Sequence, residues 1–230
     1  MKHLHLLLMA ALAFAFTACQ QNSYKIKGTA EGFNEGDTLF LTKDFNMGIP
    51  SDTLIVKKGA FEFSGTADST VLAMIYAQNN PELNATFFME PGTINIQLAK
   101  EPGLSVVGGT TANNAWQELN QTLYEYGQKM QTAAEQLYNE ELSEEENQAA
   151  IEKINAIQAE MSAKILEATK ANINNEFGYF LVTNYTDEDS FTPENRRELI
   201  NMMPAKFRER QPVKDIEEML KAIEANKEAR

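Results

Sequence analysis

From Tyr24 to about Val107 apolar and polar positions alternate in short runs, the two-residue period of strands. Tyr24-Lys25-Ile26-Lys27-Gly28 alternates, as does Thr38-Leu39-Phe40-Leu41-Thr42, where Phe40 makes the second run apolar on both faces. Leu54 and Val56 face Phe61 and Phe63 across Lys57-Lys58-Gly59-Ala60, which predicts a hairpin with a glycine-containing loop. Val71-Leu72-Ala73-Met74-Ile75-Tyr76-Ala77 is apolar nearly throughout, the mark of a central strand covered on both sides. Thr86-Phe87-Phe88-Met89, the turn Glu90-Pro91-Gly92-Thr93 and Ile94-Asn95-Ile96-Gln97-Leu98 predict a second hairpin, and Leu104 to Gly109 closes the region. Strands at this spacing predict an antiparallel β-sandwich or partly open barrel. Such a sheet has edges that can accept a partner's strand.

The period then changes. Trp116, Leu119, Leu123, Tyr126, Met130, Ala133 and Leu137 fall at alternating steps of three and four, a heptad stripe on one helix face. This helix is predicted to start near Thr111 or Asn113 and to stop by Asn139. Ser143-Glu144-Glu145-Glu146 fits a capping box and opens a second helix, whose stripe runs through Ile151, Ile154, Ile157, Met161, Ile165 and Ala168 to about Asn172. Together they predict a long antiparallel helical hairpin with a solvated acidic tip at Glu140, Glu141, Glu144, Glu145 and Glu146. A short helix is expected over Phe177 to Val182. Thr192-Pro193 reads as an N-cap followed by proline at the first helical position, and Pro212 opens a last helix carrying Val213, Ile216, Met219, Leu220 and Ile223 on one side. The fold class is therefore α+β, with the β-sandwich domain over 24–110 and the helical region over 111–230.

The N-terminus adds a separate message. Met1-Lys2-His3 is a short basic start, Leu4 to Phe16 is mostly apolar, and Gln20-Gln21-Asn22-Ser23 ends the run before it reaches the ~20 residues of a membrane span. Phe16-Thr17-Ala18-Cys19 resembles a bacterial lipobox, with Phe16 where leucine is usual. The alternative is an ordinary cleaved signal followed by an incidental cysteine. Cys19 is the only cysteine of the chain, so it is assigned as the lipid attachment site: 1–18 is a signal peptide and 19–23 a lipidated linker. The membrane partner is then reached through a lipid anchor, not a spanning helix. No acidic residue follows Cys19 directly, which points to the periplasmic face of the outer membrane.

Processing before Cys19 would remove both histidines, His3 and His5, and acylation would consume the one thiol. The expected mature chain thus lacks the parts for Ser-His-Asp or Cys-His catalysis, a CxxC redox pair or a His/Cys zinc site. No catalytic, cofactor-binding or metal residue is assigned, and no cofactor is expected. The net charge of −13, without a basic patch, opposes nucleic-acid binding.

Several stretches carry a resemblance. Tyr24-Lys25-Ile26-Lys27-Gly28, Asp37-Thr38-Leu39-Phe40-Leu41, Gly59-Ala60-Phe61-Glu62-Phe63-Ser64-Gly65, Met89-Glu90-Pro91-Gly92-Thr93-Ile94 and Val107-Gly108-Gly109-Thr110 occur in an order that resembles one family. It is the N-terminal domain, itself uncharacterised, of Bacteroidetes lipoproteins whose C-terminal part is a thioredoxin-like, TlpA-type thiol-disulfide oxidoreductase. The resemblance covers Tyr24 to Asn120 and, more loosely, the helices to Ala222. In those relatives a CxxC-bearing domain follows; here Arg230 stands where it would begin. The resemblance thus implies an anchored sandwich-plus-helices module without the enzyme.

Two further chemistries follow from the residues. Glu31, Glu35, Asp37, Glu62 and Glu90 lie in or beside the strands, so a hydrolase using a carboxylate pair predicts a pocket that gathers two of them. Adjacent Phe87 and Phe88 point to opposite faces of a strand, both buried if the strand is two-sided, one exposed as a contact otherwise. Asp37-Thr38-Leu39, Asp52-Thr53-Leu54 and Asp68-Ser69-Thr70 resemble the acceptor of Bacteroidetes protein O-glycosylation. The expected function is a lipid-anchored cell-envelope protein of non-catalytic binding or accessory type with a possible protein partner. Its rivals are the hydrolase and an accessory acting in trans with a separate thioredoxin-like protein.

Overall fold

The computed structural model describes residues 22–43, 49–137, 143–187 and 190–228. Cys19, the predicted signal peptide, and Glu140 and Glu141 of the predicted acidic tip lie outside the described residues. The chain divides into two compact units, Met1–Gln117 and Glu118–Arg230.

The first unit holds eight strands in two four-stranded sheets, a sandwich and not a closed barrel. They are β1 (Ser23–Thr29), β2 (Thr38–Thr42), β3 (Asp52–Ile55), β4 (Ala60–Thr66), β5 (Val71–Ala77), β6 (Asn80–Met89), β7 (Gly92–Gln97) and β8 (Val106–Gly108). One sheet has the order β4-β1-β7-β8, the other β3-β2-β5-β6. Ile26, Leu39, Leu41, Ile75, Phe87, Ile94 and Ile96 are all within 1% of full burial and fill the core. Each such side chain contributes roughly 1.5–3 kcal/mol by leaving water. Strand β5, apolar on both faces, lies between β2 and β6 as its composition predicts.

Three pairings differ from the sequence-based expectation. The turn at Lys57 to Ala60 forms, with Lys58 at φ 52° and Gly59 at φ 69°, the two left-handed residues of a primed hairpin turn. Beyond the single bridge Lys57↔Ala60, however, β3 pairs with β2 and β4 with β1. The strands part into opposite sheets, so Leu54, Val56 and Phe61 meet in the core without forming a ladder. The expected hairpin through Glu90 to Thr93 is also a crossing between sheets: β6 pairs with β5, while β7 pairs with β1 in parallel. Pro91 has no N–H to give a ladder and Gly92 turns at φ 125°. The parallel β1–β7 pair means that the sandwich is not antiparallel throughout. In its place the tight hairpin joins β5 to β6 around Gln78 and Asn79.

One close approach fixes the β1–β4 pair. Gly28 stands opposite Phe61, and a Cβ there would enter the Phe61 ring. Only glycine lets that ring lie flat against the neighbouring backbone.

The helices are α1 (Thr111–Leu137), α2 (Glu144–Asn172), α3 (Glu176–Asn184), α4 (Pro193–Met202), α5 (Ala205–Arg208) and α6 (Gln211–Glu228). Helix α1 begins in the first unit and continues into the second. Its stripe is shielded as predicted: Trp116, Leu119 and Ala133 are buried and Leu123, Tyr126, Met130 and Leu137 half-buried. Ser143 caps α2 with Glu146 in a full capping box. The backbone and side-chain hydroxyl of Ser143 hold the Glu146 carboxyl below the ordinary glutamate range. The Tyr126 hydroxyl reaches Glu160 at 3.4 Å; the two lie equally far in sequence from Ser143, the register of an antiparallel hairpin. Ile151 departs from its predicted place. It is 43% exposed, and the inner positions of α2 are Ala150, Ile157, Ile165 and Thr169. A straight helix drifts against a seven-residue repeat, and here the drift brings the smaller Ala150 inward.

The last four helices close over α2. Ile173, Val182, Leu199, Ile200, Phe207, Val213 and Leu220 form their common core. Thr192 caps α4 with Pro193 in its first turn. Arg210 clamps Glu176 with two bonds of 2.7 and 2.6 Å and lies over the rings of Tyr179 and Phe207. No helix among the described residues is long and apolar enough to cross a membrane.

Candidate functional site: the two sides of the sandwich

A two-sheet sandwich has four edge strands, here β8 and β6 on one side and β4 and β3 on the other. Each edge turns a row of backbone N–H and C=O groups outward, and those groups must find partners or remain open.

The C-terminal part of β6 and the β8 end are covered by the first two turns of α1. The Asn113 amide donates to Phe88 O at 2.7 Å and accepts from Phe88 N–H at 2.8 Å, copying the exchange that a neighbouring strand would make. The Trp116 Nε1–H donates to Thr86 O at 3.0 Å, and the Trp116 ring meets Phe88 edge-on at 6.4 Å. Toward the other sheet, Gln117 accepts from Val107 N–H at 2.9 Å and Asn114 from Gly109 N–H at 2.9 Å. Asn113 and Trp116 therefore serve β6, while Gln117 serves β8 and Asn114 the residue just after it. Three-residue spacing keeps each pair on one helix face. Glu90 completes the seal by accepting from Ala112 N–H at 2.9 Å, satisfying an open donor of the helix N-terminus. Phe87 and Phe88 are both buried, at 0% and 2% exposure: Phe87 faces the core and Phe88 lies under Trp116. The two-sided alternative is the one found.

The β4–β3 side has no such cover among the described residues. Ala30 N–H donates to Gly59 O and Ala67 N–H to Asn22 O, both at 2.8 Å. With the register Tyr24↔Gly65, Ile26↔Phe63, Gly28↔Phe61, alternation turns the amides of Phe61, Phe63 and Gly65 toward β1. It turns those of Glu62, Ser64 and Thr66 away from the sheet. All three residues are exposed, and no described residue bonds their outward N–H or C=O. Strand β4 has no proline, lysine or bulge and is seven residues of unbroken register; of the features that guard edges it carries one charged side chain, Glu62. Strand β3 has only four residues. On the outer face beside β4, Lys25 pairs with Glu62 at 2.8 Å, and this contact holds the Glu62 carboxyl below its ordinary range.

A cleft of about 220 Å³ opens at the loop end of the sandwich, lined in part by Phe33, Asn34, Asp37, Asn80 and Lys100. Of the five acids singled out in the sequence, Asp37 alone lines it. Its Oδ2 accepts from Asn34 N–H at 2.8 Å, and Lys100 lies over the Phe33 ring at 5.3 Å. The other acids are dispersed: Glu35 accepts from Lys58 N–H at 2.6 Å, Glu62 meets Lys25, Glu90 meets Ala112, and Glu31 is exposed. The cleft does not gather two of them. Of the acceptor-like segments, Thr53 and Ser69 are exposed and Thr38 is half-buried.

The sequence placed Trp116 on an apolar stripe and Asn113 only as a candidate helix start, and it gave Asn114 and Gln117 no role. The available signal is two asparagines at a helix start, each followed three residues later by a second hydrogen-bonding side chain. Residues 24–116 match the family model described as a domain of unknown function (DUF4369). The matched stretch spans the strands and runs into the seal, including Asn113, Asn114 and Trp116. No curated protein and no solved structure matches the chain.

Proposed function

We propose that this protein is a non-catalytic binding or accessory module of the bacterial envelope, lipid-anchored through Cys19 at the periplasmic face of the outer membrane. Its sandwich docks an extended strand of a protein partner along β4. One observation carries the docking reading: α1 side chains bond the backbone of Phe88 and Val107 on one side, while the outward groups of Glu62, Ser64 and Thr66 meet no partner among the described residues. Strand addition at an open edge gains its affinity from main-chain bonds and its selectivity from alternate side chains. The anchor reading rests on the residues around Cys19. The resemblance to the N-terminal domain of TlpA-type lipoproteins adds the class of process, with the module serving a thiol-disulfide oxidoreductase system as an accessory. The hydrolase reading gains no support from acids that lie apart, with Asp37 alone lining the cleft.

The test is made on the protein extracted from its own membranes. An intact mass above that of the polypeptide beginning at Cys19 by a diacylglyceryl group and its acyl chains is expected, and Cys19→Ser should abolish both that increment and membrane retention. An unmodified Cys19 in the membrane-derived protein would overturn the anchor. Persistent isolation of the chain after crosslinking in native membranes would overturn the partner role.

A further inference from the structure

We infer that the strand received by β4 is the β4 strand of a second copy of this chain, added antiparallel about a two-fold axis at Ser64. The inference rests on the reading of β4 as a docking edge and specifies its occupant.

The outward groups alternate along β4 at Glu62, Ser64 and Thr66. An antiparallel partner centred on Ser64 sets Ser64 against the second copy's Ser64 and Glu62 against the second copy's Thr66, twice by symmetry. Every outward N–H and C=O of the three residues then exchanges with its opposite number, in the pattern of hydrogen-bonded antiparallel pairs. Side-chain chemistry favours the same register. Like charges directly opposite each other destabilise a sheet, and here the two Glu62 carboxylates stand four positions apart along the strands, about 13 Å. The residue on the axis, where the copies come nearest, is a small serine. Charge at the ends is complementary as well. The exposed Lys57 and Lys58 precede β4 and the exposed Asp68 follows it; antiparallel addition brings the basic start of each strand toward the acidic end of the other. The product is a continuous sheet of twice four strands in which β4 is no longer an edge.

Two chains held in one membrane meet at high effective concentration, so a modest interface suffices there. The test therefore uses the full chain in its own membranes, with single cysteines added to the natural Cys19. In a hydrogen-bonded pair the Cα atoms lie about 5.5 Å apart, within the range that a disulfide bridges. Under mild oxidation Ser64→Cys is expected to shift to twice the monomer mass. Glu62→Cys alone is expected to remain monomeric, and a mixture of Glu62→Cys with Thr66→Cys chains is expected to crosslink. The wild-type chain sets the background from Cys19. Ser64→Pro removes an N–H that points away from β1 and so is tolerated at an edge; placed in the mixed pair, it should abolish crosslinking while the far-ultraviolet dichroism and melting temperature stay near those of the parent. A doubled mass containing only this chain supports the proposal. Crosslinking of Ser64→Cys to a different protein overturns it and leaves the docking edge standing. Absence of any crosslinked product overturns both, as does equal self-crosslinking of Glu62→Cys and Ser64→Cys.

Discussion

The two sides of the sandwich meet the same requirement differently. Along β6 and β8, four side chains of α1 stand in for missing strands, and the amides of Phe88, Val107 and Gly109 are all engaged. Along β4 the backbone of Glu62, Ser64 and Thr66 is left outward, and the strand is held from within by the β1 ladder and by the Phe61 ring over Gly28. The helix bonds Thr86 and Phe88 of β6 and Val107 and Gly109 beside it, whereas β4 meets no such side chain among the described residues. A long edge with few guarding features is a liability unless something occupies it. The difference between the sides is the observation on which the proposed docking rests.

The sharpest way to break the comparison is to remove the anchor of the sealed side. Trp116→Ala deletes a 6%-exposed ring and its bond to Thr86, and should cost about 3–5 kcal/mol in urea unfolding. Asn113→Ala is the cleaner probe. It leaves Phe88 N–H and C=O buried without their partner, and a loss of about 1–3 kcal/mol is expected. Ser64→Ala, the matching change on the open side, should stay within about 0.5 kcal/mol when measured on dilute monomer. Equal costs for the two substitutions would erase the distinction. Lys58 sits at φ 52°, where a lysine Cβ is strained, so Lys58→Asn should raise stability by about 1 kcal/mol at most and leave the turn into β4 intact.

The smallest effect concerns Glu62. Lys25 lowers its folded-state pKa, so the contribution is present above the unfolded-state value and is lost as pH falls through the lowered folded one. Glu62→Gln should flatten the acid limb of a stability-against-pH curve below about pH 5. The pair is exposed, so added salt should shrink the difference between the variants.

How far the fold could be read from residues alone depended on distance along the chain. Local rules were legible. The all-apolar run of β5 marked a covered central strand, Ser143 with Glu146 marked a helix start, Thr192-Pro193 marked another, and the heptad stripe of α1 set its inner face. Pairing was not legible. Lys58-Gly59 specifies a tight turn, but nothing within those residues states that β3 and β4 then diverge into different sheets; that follows from the separate claims of β2 and β1 on them. The parallel β1–β7 pair joins segments far apart in sequence and leaves no periodic trace. Ile151 was misplaced because neighbouring Ala150 and Ile151 offer competing seams, and the packed partner chose the smaller. In the candidate site, the strand pattern exposed the presence of edges, whereas the decision between sealed and open rested on amide side chains that also suit ordinary helix surfaces.

The central claim is that Glu62, Ser64 and Thr66 of β4 offer their outward backbone to a strand while Phe88, Val107 and Gly109 are already bonded by α1. Residue-resolved amide hydrogen exchange on the full chain measures this directly. Slow exchange is expected at Phe88, Val107 and Gly109 at every protein concentration, with fast exchange at Glu62, Ser64 and Thr66 in dilute solution that slows as concentration rises. Protection of Ser64 equal to that of Phe88 in the dilute monomer, or fast exchange at Phe88, would contradict the account.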